Sequence, residues 1–516
     1  MLNTDDTNNF VFDYEDIQIQ VPGGLNDEKL DSLRVTLNIN KADSHVNVRH
    51  SLNLFNHTQV EKFLLQVSYR LEVNDVMIRK AFIELTNELE QHRLTQLSQS
   101  EEQESIVEYQ LPKEEYKEAK QFLCAKNLLE QTNNRIGASG IIGEENNRLL
   151  MYLIFTSRKT NNPLHCISFG SSGVGKTHLQ SNVSELIPSE DKIEITQLSA
   201  NAFYYFNRYD LKNKLVLIED MDGAEDGLLP LRELQTKKRI SKSVVQKSIG
   251  GRGRTNNLVV EGPVCVSGCT TKTNVFEDNA NRSFLLYIDE SEEQDERIMA
   301  YQRMQYAGKV DEDYQLSSAK ILRNVQRLLK PILVVNPYAE YLKLPSTVFK
   351  PRRTNLHYLQ LIEVITFYHQ FQRDEKVDET TGEVYIETTL EDIKMANTLI
   401  KDVLLRKSDR LNGVTRDYFE SLSEYLAKND KPTFSNSEIR REFRMSETTL
   451  RRYHKVLLAE GYIEKIGGNR TASYEYKLLD VNEFKDLEAT IEKALNLCLE
   501  YATSPKVRHS GNGELK

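Results

Sequence analysis

The segment HCISFGSSGVGKTHLQ, residues 165–180, constrains the fold more than any other part of the chain. Gly170, Ser171, Ser172, Gly173, Val174, Gly175, Lys176 and Thr177 fit G-x-x-x-x-G-K-[S/T], a loop whose glycines let backbone N–H groups approach phosphate oxygens. Such a loop needs a buried strand before it and a helix after it that aims its positive end at the anion. HCISFG reads as that strand and KTHLQSNVSELI as that helix. Lys176 is placed to neutralise the β- and γ-phosphates, Thr177 to ligate Mg²⁺, and His178 follows in the same helical turn. Residues 164–290 alternate strand-like and helix-like segments, which predicts a parallel sheet.

Two further strands carry polar ends. KLVLIEDMDG, residues 214–223, runs four apolar residues into Glu219 and Asp220. By position, Glu219 is assigned to the metal and Asp220 to the attacking water; Asp222 is available for either job. GPVCVSGCTT, residues 262–271, ends in Thr270 and Thr271, the candidates to sense a γ-phosphate. Arg282 precedes another apolar strand, where an arginine can reach a phosphate held by a neighbouring subunit. Arg352 and Arg353 start a lid-like helix, and Arg353 is the one expected to contact phosphate.

Between the second and third of these strands lies a basic segment. Residues 232–254 hold 8 Lys+Arg and one acid, Glu233. Strand, Gly-Gly turn and strand predict a hairpin whose Lys242, Lys247, Arg252 and Arg254 touch a nucleic-acid backbone without regard to sequence. Residues 434–480 have winged-helix order: a helix, a turn, a second helix from Ser446 to Gly461, and a hairpin with a Gly-Gly-Asn turn. Arg451, Arg452 and Lys455 on the second helix and Arg470 in the wing are the expected DNA contacts.

The 516 residues predict about three domains. No run of about 18 apolar residues appears, so no membrane partner is expected. The acidic start, MLNTDDTNNF, lacks the order of a signal peptide, and five cysteines suit a reducing, cytoplasmic compartment. Cys265 and Cys269 read as small residues of a buried strand, not as metal ligands. Residues 1–110 hold 9 Lys+Arg against 19 Asp+Glu, which accounts for the whole net charge of −10. Local basic clusters elsewhere therefore remain compatible with DNA.

Taken as an ordered set, residues 138–480 resemble minichromosome maintenance (MCM)-like AAA+ replicative helicases of bacterial mobile elements, of the staphylococcal cassette and phage-satellite type. The matching features are IIGEENN, GSSGVGKT, IEDMDG, the basic hairpin, NRSF, the lid arginines and the winged helix. The resemblance implies a hexameric ring, ATP sites between subunits, hairpins lining a pore, and 3′-to-5′ movement on single-stranded DNA. It also puts Ile142 beside the nucleotide. The chain departs from the family in its swapped acid pair, in lacking a zinc-ligand cysteine set before residue 110, and in ending GCTT without the usual asparagine.

The expected fold is thus an α/β P-loop NTPase (AAA+) core with an N-terminal α+β domain and a C-terminal winged helix. The expected divisions are an acidic collar or partner-binding domain (1–110), a helical linker (111–137), the ATPase core (138–291), a helical lid (292–428), the winged helix (429–480) and a C-terminal helix and tail (481–516). The expected function is an ATP-dependent DNA helicase acting on single-stranded or forked DNA as a homo-oligomer, with a replication-initiation partner on the N-terminal domain. The rival expectation is a DNA-bound AAA+ initiator, loader or regulator that switches assembly with ATP and separates no strands.

Overall fold

The alternation of apolar and polar residues in LRVTLNIN recurs on either side of it, and the computed structural model shows its consequence. The structure describes residues 2–4, 6, 9–25, 32–41, 46–104, 109–196, 198–199, 201–222, 227–247, 253–271, 281–345, 348–411, 413–468, 474–479 and 482–503, with the backbone alone over 94–104, 244–247 and 253–256. The chain divides into two units, Met1–Tyr109 with Val245–Asn256, and Gln110–Val244 with Asn257–Lys516.

In the first unit β1 (Leu2–Asn3), β2 (Asn9–Tyr14), β3 (Ile17–Pro22), β4 (Arg34–Lys41) and β5 (Asn47–Asn53) form an antiparallel sheet in that order. Ile19 sits opposite both Phe12 and Ile39, so one face is apolar while Gln18 and Gln20 take the other. α1 (His57–Leu71) and α2 (Asp75–Glu104) cover the apolar face with Phe63, Val67, Ile78, Phe82 and Leu85. Glu72 separates the two helices by taking a left-handed conformation at φ +48°. The polar stretch TQLSQSEEQE, residues 95–104, continues the backbone of α2.

The second unit begins with α3 (Lys113–Leu123), α4 (Leu128–Ala138) and α5 (Glu145–Thr156). α5 is buried on every side from Arg148 to Thr156, as expected of a helix that lacks a polar face. Then follow β6 (Cys166–Phe169), α6 (Lys176–Ser184), β7 (Lys192–Ile195), β8 (Lys214–Ile218), α7 (Leu228–Lys237), the ribbon strands β9 (Arg239–Lys247) and β10 (Gly253–Glu261), β11 (Val264–Thr270) and β12 (Phe284–Tyr287). β12-β6-β11-β8-β7 is the order of one sheet, parallel throughout. Among the described residues β9 and β10 pair only with each other. No helix among the described residues is long and apolar enough to cross a membrane.

Beyond the sheet lie α8 (Glu292–Tyr306), α9 (Glu312–Leu328), β13 (Leu333–Val335), α10 (Pro351–Tyr368), β14 (Lys376–Val377), β15 (Val384–Glu387) and α11 (Leu390–Ser408). β13-β15-β14 form a small sheet inside a region read as mostly helical. α12 (Gly413–Lys428), β16 (Thr433–Ser435), α13 (Asn436–Glu442), α14 (Glu447–Ala459), β17 (Ile463–Gly468) and β18 (Tyr474–Leu478) share a separate core. β18 lies between β16 and β17, antiparallel to both. His454 fills its centre: its Nε2 lies 2.6 Å from the Tyr418 hydroxyl, and burial lowers its pKa to about 4. α15 (Glu483–Thr503) packs back on α11, where Asn397 Nδ2 donates to the Leu495 carbonyl at 2.9 Å.

Arg416 on α12 donates to both Asp409 carboxylate oxygens, at 2.7 and 2.6 Å, with both side chains 2% exposed. Its guanidinium also lies 4.4 Å from the Phe484 ring centroid. Removing one partner of a buried pair leaves the other charge uncompensated. Arg416→Ala is therefore expected to destabilise this region by about 3–5 kcal/mol, read as a lowered urea midpoint; an unchanged midpoint contradicts the assignment.

Candidate nucleotide-binding site

The loop after β6 follows from backbone conformation. Gly173 and Gly175 sit at φ +90° and +95°, where a Cβ is strained. A Cβ on Gly170 would lie 2.8 Å from Val174 Cγ2. The loop closes on the first turn of α6, whose N–H groups have no helical partners. Lys176, 7% exposed, donates from Nζ to the Gly170 carbonyl at 2.9 Å and also to that of Ser171. Thr177 and His178 are exposed, and His178 Nε2 pairs with Asn182 Nδ2 at 2.8 Å. Ser171 N–H donates to Glu290 Oε1 at 2.8 Å.

The acids emerge from the same edge of the sheet, because β11 runs parallel to β6 on one side and to β8 on the other. Glu219 and Asp220 follow β8 and are exposed. Cys269 near the end of β11 reports the convergence. Burial pushes its thiol up to about 11, while the Thr177 hydroxyl bonds to it and Lys176, Asp220 and Glu219 act on it electrostatically. A hydroxyl and two carboxylates around a phosphate cradle suit Mg²⁺, which keeps several waters and takes few protein ligands. Asp222 has a different place. Its carboxylate accepts from Thr271 N at 3.0 Å, from Thr271 Oγ1 at 2.7 Å and from the Thr270 hydroxyl. Its own N–H donates to Asp220 Oδ1 at 2.8 Å. Among the described residues no group of three or more His, Cys, Asp or Glu is arranged to hold a metal ion by itself.

Beside the cradle is a cavity of about 330 Å³, lined among others by Ile142, Val174, His178, Ile288, Gln294 and Tyr301. A set of hydrogen bonds fastens its walls. Arg148 on α5 donates to the Ile141 and Gly143 carbonyls at 2.8 and 3.0 Å and to Asn133 Oδ1 at 2.7 Å. Asp289 N–H donates to Glu144 Oε1 at 2.7 Å, and burial raises the Glu144 pKa. Gln294 Nε2 donates to the Ile142 carbonyl at 3.0 Å. None of Arg148, Glu144, Asp289, Glu290 and Gln294 was singled out from sequence. IIGEENN was noted as a motif, but its partners lie far along the chain.

Other candidates lie away from the cradle. Arg282 donates from Nε to Thr236 Oγ1 at 3.1 Å, two residues before β12. That end of β12 lies beside the start of β6: Phe284 pairs with Cys166, and its N–H donates to the His165 carbonyl at 2.7 Å. The cradle follows the opposite end of β6. Arg353 is one turn before His357, whose ring stacks on Phe284 at 5.4 Å, and burial followed by the charges of Lys407, His165 and Arg353 lowers the His357 pKa to about 3. Arg353 is not among the residues lining the cavity. In the ribbon, Lys242 Nζ donates to Asn201 Oδ1 at 2.7 Å and sits over the Tyr204 ring. Lys247 and Arg254 lie on β9 and β10, described by backbone alone, and Arg252 is outside the described residues. Arg451, Arg452 and Lys455 are exposed on α14, with Arg451 paired to Glu447 at 2.5 Å; Arg470 is outside the described residues.

A family model described as the MTBMA_p00010 P-loop domain matches residues 115–331. The chain carries a P-loop NTPase domain. The match spans less than half of the chain, from α3 through α9, and so includes the cradle, the acids and the ribbon. Comparison with curated proteins finds no match. Among solved structures the chain is similar to a chain of Drosophila ORC bound to DNA, at 12% identity and a TM-score of 0.22, covering 75% of this chain and 94% of that one. It is also similar to the Aeropyrum pernix ORC1 protein in complex with DNA, at 12% identity and a TM-score of 0.20, covering 75% and 97%. Scores of this size do not establish a common overall fold.

Lys176→Ala removes the ammonium held inside the cradle. The P-loop NTPase domain should then lose nucleoside triphosphate binding by tenfold or more, about 1.4 kcal/mol at least, in a fluorescent-nucleotide titration, with an unchanged melting temperature. Retained affinity would separate the loop from nucleotide binding.

Proposed function

We propose that this protein is an ATP-driven DNA helicase of AAA+ type that works as a ring, most simply a hexamer. The observation that carries the reading is the placement of the basic ribbon. β9 and β10 are spliced into the chain between β8, which delivers Glu219 and Asp220, and β11, which delivers Thr270. In this reading a nucleotide-driven change at these strand ends reaches the ribbon through α7 and β11, the elements that join them to it. Lys242, Lys247, Arg252 and Arg254 then hold the phosphate chain of single-stranded or forked DNA, by contacts that carry no sequence information.

In this reading Lys176 and the loop amides hold the β- and γ-phosphates of ATP, and Ile142, Val174 and His178 flank the base. Thr177 and Glu219 hold Mg²⁺, which when bound neutralises charge on the phosphates. Asp220 orients the attacking water and takes its proton. Arg282 acts across the interface between copies, since it lies beside the end of β6 remote from its own cradle, and Arg353 is the lid arginine that contacts phosphate. The module from α12 to β18 is read as a winged helix, with Arg451, Arg452 and Lys455 of α14 facing a groove. The first unit is read as a collar that takes a replication-initiation partner.

A second reading, a DNA-bound initiator or loader that separates no strands, draws on the exposed basic face of α14. A fork-unwinding assay divides the two. The helicase reading expects ATP-dependent strand displacement. Replacement of Lys247, Arg252 and Arg254 by Ala is expected to remove DNA stimulation of hydrolysis while sparing the basal rate. Hydrolysis without displacement under every loading condition supports the second reading.

Subunit mixing tests the shared site. Lys176→Ala and Arg282→Ala are each expected to be inactive in hydrolysis alone. Mixed in equal amounts, they form some interfaces with an intact cradle and an intact arginine, and measurable activity returns. No recovery in a mixture shown by mass to co-assemble contradicts an inter-subunit role for Arg282.

A further inference from the structure

The loop that joins β7 to β8 holds five aromatic rings within FYYFNRY, residues 203–209. Three of them anchor it. Phe203 is fully buried, and Tyr204 and Phe206 pack against the same core. Leu211, also fully buried, pins the far end of the loop. The other two rings, Tyr205 and Tyr209, turn outward and are 76% and 53% exposed. Rings of this size are usually spent on burial, and these two present much of their surface to solvent.

Hydrogen bonds fasten this loop to both strands of the basic ribbon, near its root. On β10 the Glu261 N–H donates to the Arg208 carbonyl at 2.7 Å, and Arg208 donates from Nε and Nη2 to Glu261 Oε1 at 3.1 and 2.7 Å. On β9 Lys242 Nζ donates to Asn201 Oδ1 at 2.7 Å and lies 5.4 Å from the centroid of the Tyr204 ring. Arg208 and Lys212 lie 5.2 and 5.9 Å from the centroid of the Tyr209 ring. The acids nearby are already engaged: Glu261 by Arg208, and Asp210 by the Asn207 N–H at 2.8 Å. Lys212 is exposed and makes no ion pair among the described residues. Exposed rings with cations beside them are what a single strand of nucleic acid requires. Every base has a flat face that stacks on an aromatic ring, and the phosphates take the cations. A paired base inside a duplex has no free face to offer.

We propose that Tyr205 and Tyr209 form a stacking platform for the unpaired bases of a single-stranded nucleic acid, with Lys212 taking an adjoining phosphate. The proposal rests on the reading of the ribbon as a nucleic-acid contact. Its test uses the full chain and two labelled strands of equal length, read by fluorescence anisotropy at one salt concentration. One strand is oligothymidylate; the other is abasic, with the same phosphates and no bases. Wild-type protein is expected to bind oligothymidylate about tenfold or more tightly than the abasic strand. Tyr205→Ala combined with Tyr209→Ala is expected to bind both strands alike, at the affinity wild type has for the abasic one. Tyr205→Phe combined with Tyr209→Phe keeps the rings and is expected to keep the preference. Equal binding of the two strands by wild type overturns the proposal whether or not the variants fold. So does a folded double alanine variant that keeps the wild-type ratio. A wild type that binds neither strand overturns the nucleic-acid reading of the ribbon together with the proposal.

Discussion

The parallel pairing of β11 with β6 on one side and β8 on the other decides where the chemistry of this chain can sit. In a parallel sheet every strand exits at the same edge, so loops far apart in sequence meet there. Ser267 is the register point: it pairs with Cys166 of β6 and with Leu217 of β8. Its hydroxyl donates to Gln180 Oε1 at 2.8 Å, and Gln180 Nε2 donates to the Ile218 carbonyl at 3.2 Å. One buried glutamine on α6 therefore bonds to the strand that brings the acids and to the strand that brings Thr270. A slip of one residue in either pairing would break this set and turn each strand's side chains to the opposite face.

A second constraint holds the cavity beside the cradle. The loop 141–144 carries no regular structure, yet Arg148 fixes two of its carbonyls and Gln294 a third. Burying Arg148 costs desolvation, which lowers its pKa. The cost is offset by its hydrogen bonds to the Ile141 and Gly143 carbonyls and to Asn133. The loop is thus held from inside by α5 and from outside by α8, and the cavity between is preformed.

How much of this was legible follows from range. The cradle, β6 and α6 were visible because strand, glycines and helix are consecutive, and each has a local backbone requirement. β8 and β11 were visible as short apolar runs with polar ends. The division of α1 from α2 was not, because Glu72 takes the left-handed conformation without a glycine to mark it. The sheet β13-β15-β14 was missed because Leu333 pairs with Tyr385 across a helix, and each strand is too short to show alternation. The clasp on the cavity was beyond reach for the same reason. Ile142 and Gln294 are 152 residues apart, and nothing local to either requires the other.

The acid pair shows what the structure adds to a motif. Read by position, Glu219 and Asp220 are a reversed pair, and the strand end Thr270-Thr271 lacks an amide. In the structure the two departures are connected. Asp222 takes both threonine hydroxyls and the Thr271 N–H on its carboxylate, and gives its own N–H to Asp220. An asparagine at the strand end could donate and accept from one side chain; here an aspartate and two hydroxyls divide those tasks. Asp220 therefore has one oxygen held by the Asp222 N–H, itself tied to the end of β11, while among the described residues Glu219 makes no such contact. An oriented carboxylate suits the handling of a water, and a freer one suits a metal whose shell is mostly water. The order of the acids is reversed in sequence, and the proposed division of tasks between them rests on this difference in their hydrogen bonds.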